Sequence, residues 1–393
     1  MKKYIVTSLL LFPGVALGAG WSTTDQSVAA MGVGGAGAAN AEDPGANTYN
    51  AAAGMMSPGL AASLGVVIAA PSLSATGDGF SAKSGDVSLP PHLHVRFMGE
   101  RFGIGASVTV PFGSQVEWPE YWEGRFDLRS AQMRVVRASA FLSGRYEFLS
   151  FAVGPHFDTA KLGFVRSIDF VDTEGTAAIE TQANGIGVSA SVFARPFAAL
   201  DVGLSYASRT KLSFEGFADF EAPPEFSGRV QDGAISTSVT LPDRFRLGAR
   251  YRPAKDWEVL ADLELTLWST VDRLDLDFAS EETDDIEQLR NWKTTLTPRV
   301  GARYAVLDFL DVRAGAYFDP SPVPSQTVGP GSPDSARVGL TAGAGLKLIE
   351  QVRVDLGYQF VLFTGSDGTS ESTSTVQYDG AVHLVGASVA ARL

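Results

Sequence analysis

Trp257-Glu258-Val259-Leu260-Ala261-Asp262-Leu263-Glu264-Leu265-Thr266-Leu267 is the stretch that decides the fold. In an extended chain Trp257, Val259, Ala261, Leu263, Leu265 and Leu267 fall on one side, and Glu258, Asp262, Glu264 and Thr266 on the other. That is the period of a strand, not of a helix. Strands of soluble β-sandwiches usually run about 5 to 6 residues. Runs of roughly 10 residues with one apolar and one polar face are the mark of a transmembrane barrel, whose strands meet lipid on one side and a lumen on the other.

The pattern recurs along the chain. Val338, Leu340, Ala342, Ala344, Leu346 and Leu348 alternate with small or charged residues, and so do Val352, Val354, Leu356, Tyr358, Phe360 and Leu362. Fourteen such runs can be placed, near 60–70, 86–98, 101–113, 129–148, 150–170, 184–197, 199–216, 233–252, 256–274, 293–305, 309–319, 335–348, 351–363 and 380–393. Tight connections at Gly99-Glu100, Leu149, Ala198 and Ala254-Lys255 are interleaved with long ones. Short periplasmic turns, long extracellular loops and an even strand count are the habit of bacterial outer-membrane barrels. Closure is required because an unpaired backbone group in hydrocarbon costs several kcal/mol. The predicted fold is therefore an all-β, 14-stranded antiparallel transmembrane barrel over 60–393, with both chain ends on the periplasmic side.

Composition narrows the function classes. The 393 residues are 45% hydrophobic and 19% charged, with 42 glycines and a net charge of -13. Outside the N-terminus no run is long and apolar enough for a spanning helix. The acidic balance disfavours nucleic acid as a partner. With no cysteine, thiol nucleophiles, cysteine-ligated metals and disulfides are all excluded.

Lys2 and Lys3, the apolar stretch Tyr4–Leu17 and the small residues Ala16 and Gly18 read as a secretory signal over 1–18. Residues 19–59 are rich in Gly and Ala and too irregular for a lipid-facing strand. Fourteen strands enclose more space than their own side chains fill, since about eight suffice for a packed interior. The segment 19–59 is therefore expected to be a hatch that plugs the lumen. The acidic segment Ser280–Glu287 and the Ser/Thr-rich 366–375 read as solvated loops.

Ala19-Gly20-Trp21, Glu42-Asp43-Pro44 and Tyr49-Asn50-Ala51-Ala52-Ala53-Gly54 resemble the hatch of FadL-type outer-membrane transporters of long-chain fatty acids and other hydrophobic compounds. Pro111-Phe112-Gly113 with Trp118, Trp122 and Gly124-Arg125 is similar to that family's third strand and following loop, and Trp268-Ser269 to a position late in a long strand. The most specific match is Tyr317-Phe318-Asp319-Pro320-Ser321-Pro322-Val323-Pro324 with Ser332-Pro333-Asp334 and Arg337. Ala51 stands where the family's hatch motif has proline, and Leu393 where an aromatic terminus is usual.

The resemblance implies passive uptake without a cofactor. A hydrophobic molecule, first of all a long-chain fatty acid, would be captured by extracellular loops and bound in an apolar lumen pocket. It would then leave sideways at a kink in the third strand. It implies a hatch motif at Asn50, Ala51 and Ala52 and a lateral gate at Pro111, Phe112 and Gly113. Pro111 has no amide hydrogen and Gly113 no side chain, so strand pairing is expected to fail there. The expected partners are that substrate, outer-membrane lipid and lipopolysaccharide; the protein is expected to be a monomer. Hydrocarbons as substrate, and then a general porin, are the alternatives.

Three motifs are set aside. Gly32-Val33-Gly34-Gly35-Ala36-Gly37 spells a dinucleotide fingerprint but follows no strand. His92 and His94 share a strand face without a third ligand, so no metal site is assigned. No G-x-S-x-G elbow organises a hydrolase, and no catalytic residue is assigned. Strand parity directs Arg137, Arg145, Asp201, Arg209, Arg313, Arg353 and Asp355 toward the lumen.

Overall fold

The computed structural model describes residues 20–23, 25–170, 172–226, 231–280, 285–368 and 375–393. The expected signal at 1–18 lies outside the described residues, as do 281–284 of the acidic loop and 369–374 of the Ser/Thr-rich one.

Fourteen strands form one closed antiparallel barrel. They are β1 (Gly59–Gly77), β2 (Pro91–Met98), β3 (Phe102–Glu117), β4 (Ser130–Tyr146), β5 (Leu149–Asp169) and β6 (Glu174–Phe197). Then come β7 (Leu200–Ala207 and Thr210–Glu221), β8 (Gly233–Leu241 and Arg244–Ala254) and β9 (Trp257–Thr266 and Arg273–Phe278), each in two pieces. The last are β10 (Thr295–Leu307), β11 (Leu310–Asp319), β12 (Arg337–Ile349), β13 (Val352–Phe363) and β14 (Val376–Arg392). Each pairs with the next, and β14 pairs back onto β1 from Ala61↔Arg392 to Thr76↔Gln377, so the wall has no free end. The break in β8 falls at Pro242, which has no amide hydrogen for a ladder bond.

Burial alternates along the strands as the sequence requires. In β9, Trp257, Val259, Ala261 and Leu263 are exposed while Leu260, Asp262 and Glu264 are buried. The outward face is an apolar band that only hydrocarbon can solvate without cost. Near the short-turn end it carries exposed aromatics, among them Phe102, Tyr146, Phe197 and Trp257, as a girdle at a membrane interface does. Leu393 accepts from the Leu60 amide at 2.9 Å, which puts the end of the chain beside the start of β1 at that same end.

Parity fails for two of the expected lumen charges. Arg145 is exposed beside the β4–β5 turn, where its Nε donates to the Glu147 carbonyl. Arg209 sits in the break between the two pieces of β7, more than half exposed, and pairs with Asp243. Period-two counting holds only while the strand is regular, and both positions lie at an interruption.

Candidate functional site: the lumen and its wall

Described residues before β1 run inside the barrel. They form a short helix, Val28–Met31, and two 3-10 turns, Pro44–Thr48 and Ala51–Met56, nearly all of them buried. The two central glycines of the tempting dinucleotide motif explain themselves here. Gly34 and Gly35 have φ of +70° and +76°, a region that favours glycine. A Cβ on Gly34 would lie 2.9 Å from the backbone oxygens of Ala316 and Val300, so the segment touches the barrel wall directly.

Inward side chains hold this segment through its backbone. Arg246 donates to the Gly35 carbonyl at 3.0 Å, and Arg96 to that of Ala41 at 3.0 Å. Asp262 Oδ2 accepts from the Gly37 and Ala38 amides at 2.9 and 3.0 Å. His94 Nε2 lies 2.8 Å from the Gln26 carbonyl oxygen, which gives half of the histidine pair an anchoring contact. Burial pushes the Glu42 carboxyl up, but Arg250 and Arg303 outweigh that and hold it below its ordinary value. Losing Asp262 strands two buried amides at about 1–3 kcal/mol each. Asp262→Ala is therefore expected to loosen the segment and raise the flux of small sugars into protein-loaded vesicles. A flux equal to the wild type's would mean that the segment is seated by other contacts.

Asn50 Oδ1 accepts from the Ala52 amide at 3.1 Å, and Asn50 Nδ2 donates to the Val192 carbonyl at 3.0 Å. Ala51 follows at the head of the second 3-10 turn. Asparagine thus caps its own turn and ties it to β6 without a proline.

Pro111 and Gly113 flank a defect in the wall. β2 pairs with β3 only as far as Leu93↔Val108, so the upper half of β3 has no strand on that side. On its other side the register to β4 slips between Thr109 and Phe112, the one-residue excess of a bulge. The chain's own beginning covers the unpaired edge. Gly113 donates to the Trp21 carbonyl at 2.8 Å, and Thr23 to that of Pro111 at 3.1 Å. Phe112 points inward and is fully buried.

Trp21 lies within an aromatic cluster against this defect. Its ring centroid is 4.5 Å from Trp292 and 6.3 Å from Trp268, and Phe112 packs 5.9 Å from Trp268. The motif loop after β11 holds the chain there. Asp334 accepts from the Gly20 amide at 3.0 Å and from Ser321 at 2.8 Å, and pairs with Arg337. Burial raises the Asp334 carboxyl, against the pull of Arg337.

Below the cluster is a lumen cavity of about 100 Å³, bordered by Thr23, Asn50, Ala51, Pro111, Arg137 and Arg244 among others. It brings Asn50 and Ala51 of the expected hatch motif and Pro111 of the expected gate to one space. Arg137 is held by Asp158 through two 2.7 Å bonds. Arg246 is paired with Glu264. Arg244 differs: it makes no ion pair among the described residues, and its guanidinium lies 4.9 Å from the Phe112 ring centroid. Strand parity, with Arg244, Arg246 and Arg250 alternating with Phe245, Leu247 and Tyr251, is the signal in the sequence that directs these three to the lumen. On the loop side, a cavity of about 590 Å³ has apolar walls including Leu128, Phe164, Ile179 and Leu276, with Arg166 and Arg290 at its border.

The profile of the family described as outer membrane protein transport protein (OMPP1/FadL/TodX) matches residues 9–392. The long-chain fatty acid transport protein of Escherichia coli K12 is 24% identical over 316 residues, 69% of this chain and 70% of that one. Outer membrane protein P1 of Haemophilus influenzae is 24% identical over 69% of this chain and 65% of its own length. Among solved structures, a Pseudomonas aeruginosa FadL homologue superposes with a TM-score of 0.87 at 17% identity, covering 95% of this chain and all of that one. The Pseudomonas putida toluene transporter TodX gives 0.72 at 16% identity, covering 89% and 94%.

Proposed function

From a chain that belongs to the OMPP1/FadL/TodX family of outer membrane transport proteins, and so is a passive outer-membrane transporter of hydrophobic compounds and not an enzyme, we infer a channel for long-chain fatty acids. The observation that carries the substrate class is Arg244, a lumen guanidinium that makes no ion pair among the described residues, lies over the Phe112 ring and borders a cavity where Phe141, Val153 and Tyr206 stand among hydroxyl and amide side chains. A hydrocarbon leaves such a cation desolvated and unpaired, whereas a carboxylate satisfies it with charge-assisted hydrogen bonds. The loop-side cavity also sets Arg166 and Arg290 beside apolar walls, with Asp127 and Glu287 at the same border.

In this reading the acid is captured among the loops and descends tail and all into the lumen. Small-molecule sites typically occupy about 300–1,000 Å³, so the cavity of about 100 Å³ must enlarge before it takes an acyl chain. Trp21 is the group to move, because it fills the aromatic cluster that adjoins the cavity and the gate. Residues 19–59 act as the hatch, with Asn50, Ala51 and Ala52 as its pivot, and Pro111–Gly113 as the lateral gate. Orientation follows the short turns, with both termini in the periplasm.

The test is uptake of labelled oleate by cells that lack their own fatty-acid channel, with toluene and a small sugar as comparisons. Saturable oleate uptake is expected. Arg244→Gln should raise its half-saturation concentration about tenfold, the scale of one charge-assisted hydrogen bond, and leave toluene entry unaltered. Toluene uptake alone would move the substrate to hydrocarbons, and sugar passage alone would make the protein a porin.

A further inference from the structure

The wall has a second interruption, between β4 and β5. Pairing runs Ser139↔His156 and resumes at Leu142↔Val153, leaving Ala140 and Phe141 unpaired with Gly154 and Pro155. Both strands are fully paired at these residues on their other sides, as Gly105↔Phe141 and Pro155↔Val188 show. The cause is local. Pro155 has no amide hydrogen to give, and proline inside a sheet is confined to edges and irregularities. A Cβ on Gly154 would lie 2.6 Å from the Phe141 Cα, so glycine alone lets the strands run this close without a ladder between them.

A cavity backs onto each face of this seam. Inside is the lumen cavity bordered by Arg244 and the hatch motif; outside is a groove of about 720 Å³. Both are bordered by Ala140, Phe141, Val153, Gly154 and Pro155. The groove is walled by the exposed side chains of Leu60, Phe97, Ile104 and Leu142 over small residues, Gly105 and Ala106. That is an alkyl-sized channel on the lipid face. One bulky side chain stands on the inner side. Phe141 is buried, its ring within 2.3 Å of where a Cβ on Gly105 would be, and it packs with Ala52, Ala53 and Met55 of the N-terminal segment.

We propose that the β4–β5 seam is a second lateral portal, through which an alkyl chain in the lumen cavity passes into the lipid-facing groove, with Phe141 as its inner door. The residues that rest on Phe141 are those that follow Asn50 and Ala51, so a hatch that moves for substrate also frees the door. The groove lies toward the short-turn end, nearer the inner leaflet than the defect at Pro111. The portal rests on the channel reading above and adds a route to it.

The full-length protein is expressed in cells without their own fatty-acid channel, and uptake of labelled oleate is read per correctly folded, heat-modifiable barrel. Ala140→Trp fills the groove floor from the lipid side, where a large apolar side chain is solvated, and should cut uptake about fivefold; Phe141→Ala removes the door and should raise it about twofold. A diazirine at the tail end of the fatty acid should cross-link to the Val153–Pro155 stretch in the wild type and lose that product in Ala140→Trp. Both variants at the wild-type rate, with no cross-link there and with Gly113→Trp inactive, would overturn the portal while leaving the channel standing. A wild type that takes up no oleate would overturn the channel reading and the portal with it.

Discussion

Gly113→Trp is expected to bring uptake down to that of cells carrying no channel, while the barrel still assembles. Gly113 keeps its place opposite Arg134 in the ladder to β4, so the strand pairing that builds the wall does not depend on its lacking a side chain. A Cβ there meets only the Met133 carbonyl oxygen at 3.5 Å and the Thr23 methyl at 3.9 Å, ordinary contact distances. A larger side chain there starts between the Met133 carbonyl and the Thr23 methyl, at the edge that β2 leaves unpaired. An indole in that space occupies the proposed exit path and wedges the segment whose movement the proposed mechanism requires. The measurements are oleate uptake and the heat-dependent gel shift of the folded barrel. Uptake at the wild-type rate by a variant that shows the shift would remove the gate from Pro111–Gly113.

That so much of the fold was legible follows from the physics of a two-faced strand. Where one face meets hydrocarbon and the other a polar lumen, period-two alternation is enforced at nearly every residue, and β9, β12 and β13 carry it openly. The strand ends were less legible. β1 runs to Gly77 and not to 70, because beyond the membrane the strand continues as a hairpin with Phe80–Ser84, where neither face needs to be apolar. β2 begins at Pro91 and not at 86, since its upper half gives way to the defect beside β3.

The site was legible in its backbone signals and, through strand parity, in which arginines face the lumen. Pro111 and Gly113 announce a failure of pairing in any strand, and a bulge lies there. Pro155 and Gly154 announce the same failure in β5 and went unread, because they sit mid-run without flanking loop residues. The individuality of Arg244 could not be read at all. It differs from Arg137 and Arg246 in its cross-strand neighbour: Arg137 faces Asp158 and Arg246 faces Glu264 on the next strand, whereas Arg244 faces Thr266 and Ala207, and that shows only once the strand register is fixed. Nor does sequence alone show why Tyr317–Pro324 and Asp334 recur together. In three dimensions Asp334, held by Ser321, accepts from the Gly20 amide and so fixes Trp21 beside Pro111–Gly113, the proposed gate.

Asp201→Asn is expected to cost the barrel about 3–5 kcal/mol, the scale for removing one partner from a buried ion pair and leaving the other uncompensated. Asp201 is completely buried at the start of β7 and gathers three guanidiniums: Arg195 at 2.6 Å, Arg250 at 2.7 Å and Arg252 at 2.7 Å. Arg250 is itself fully buried, and its remaining acidic neighbours are Glu42 at 3.4 Å and Glu258 at 3.7 Å. Without the carboxylate, three like charges from β6 and β8 face one another across β7 in a site of low dielectric. The amide keeps the shape and one acceptor, so the loss isolates the charge. The readout is the urea midpoint of the heat-modifiable folded band. A midpoint within experimental error of the wild type's would show that Glu42 and Glu258 suffice to balance the cluster, and that the N-terminal segment, through Glu42, stabilises the wall as well as being held by it.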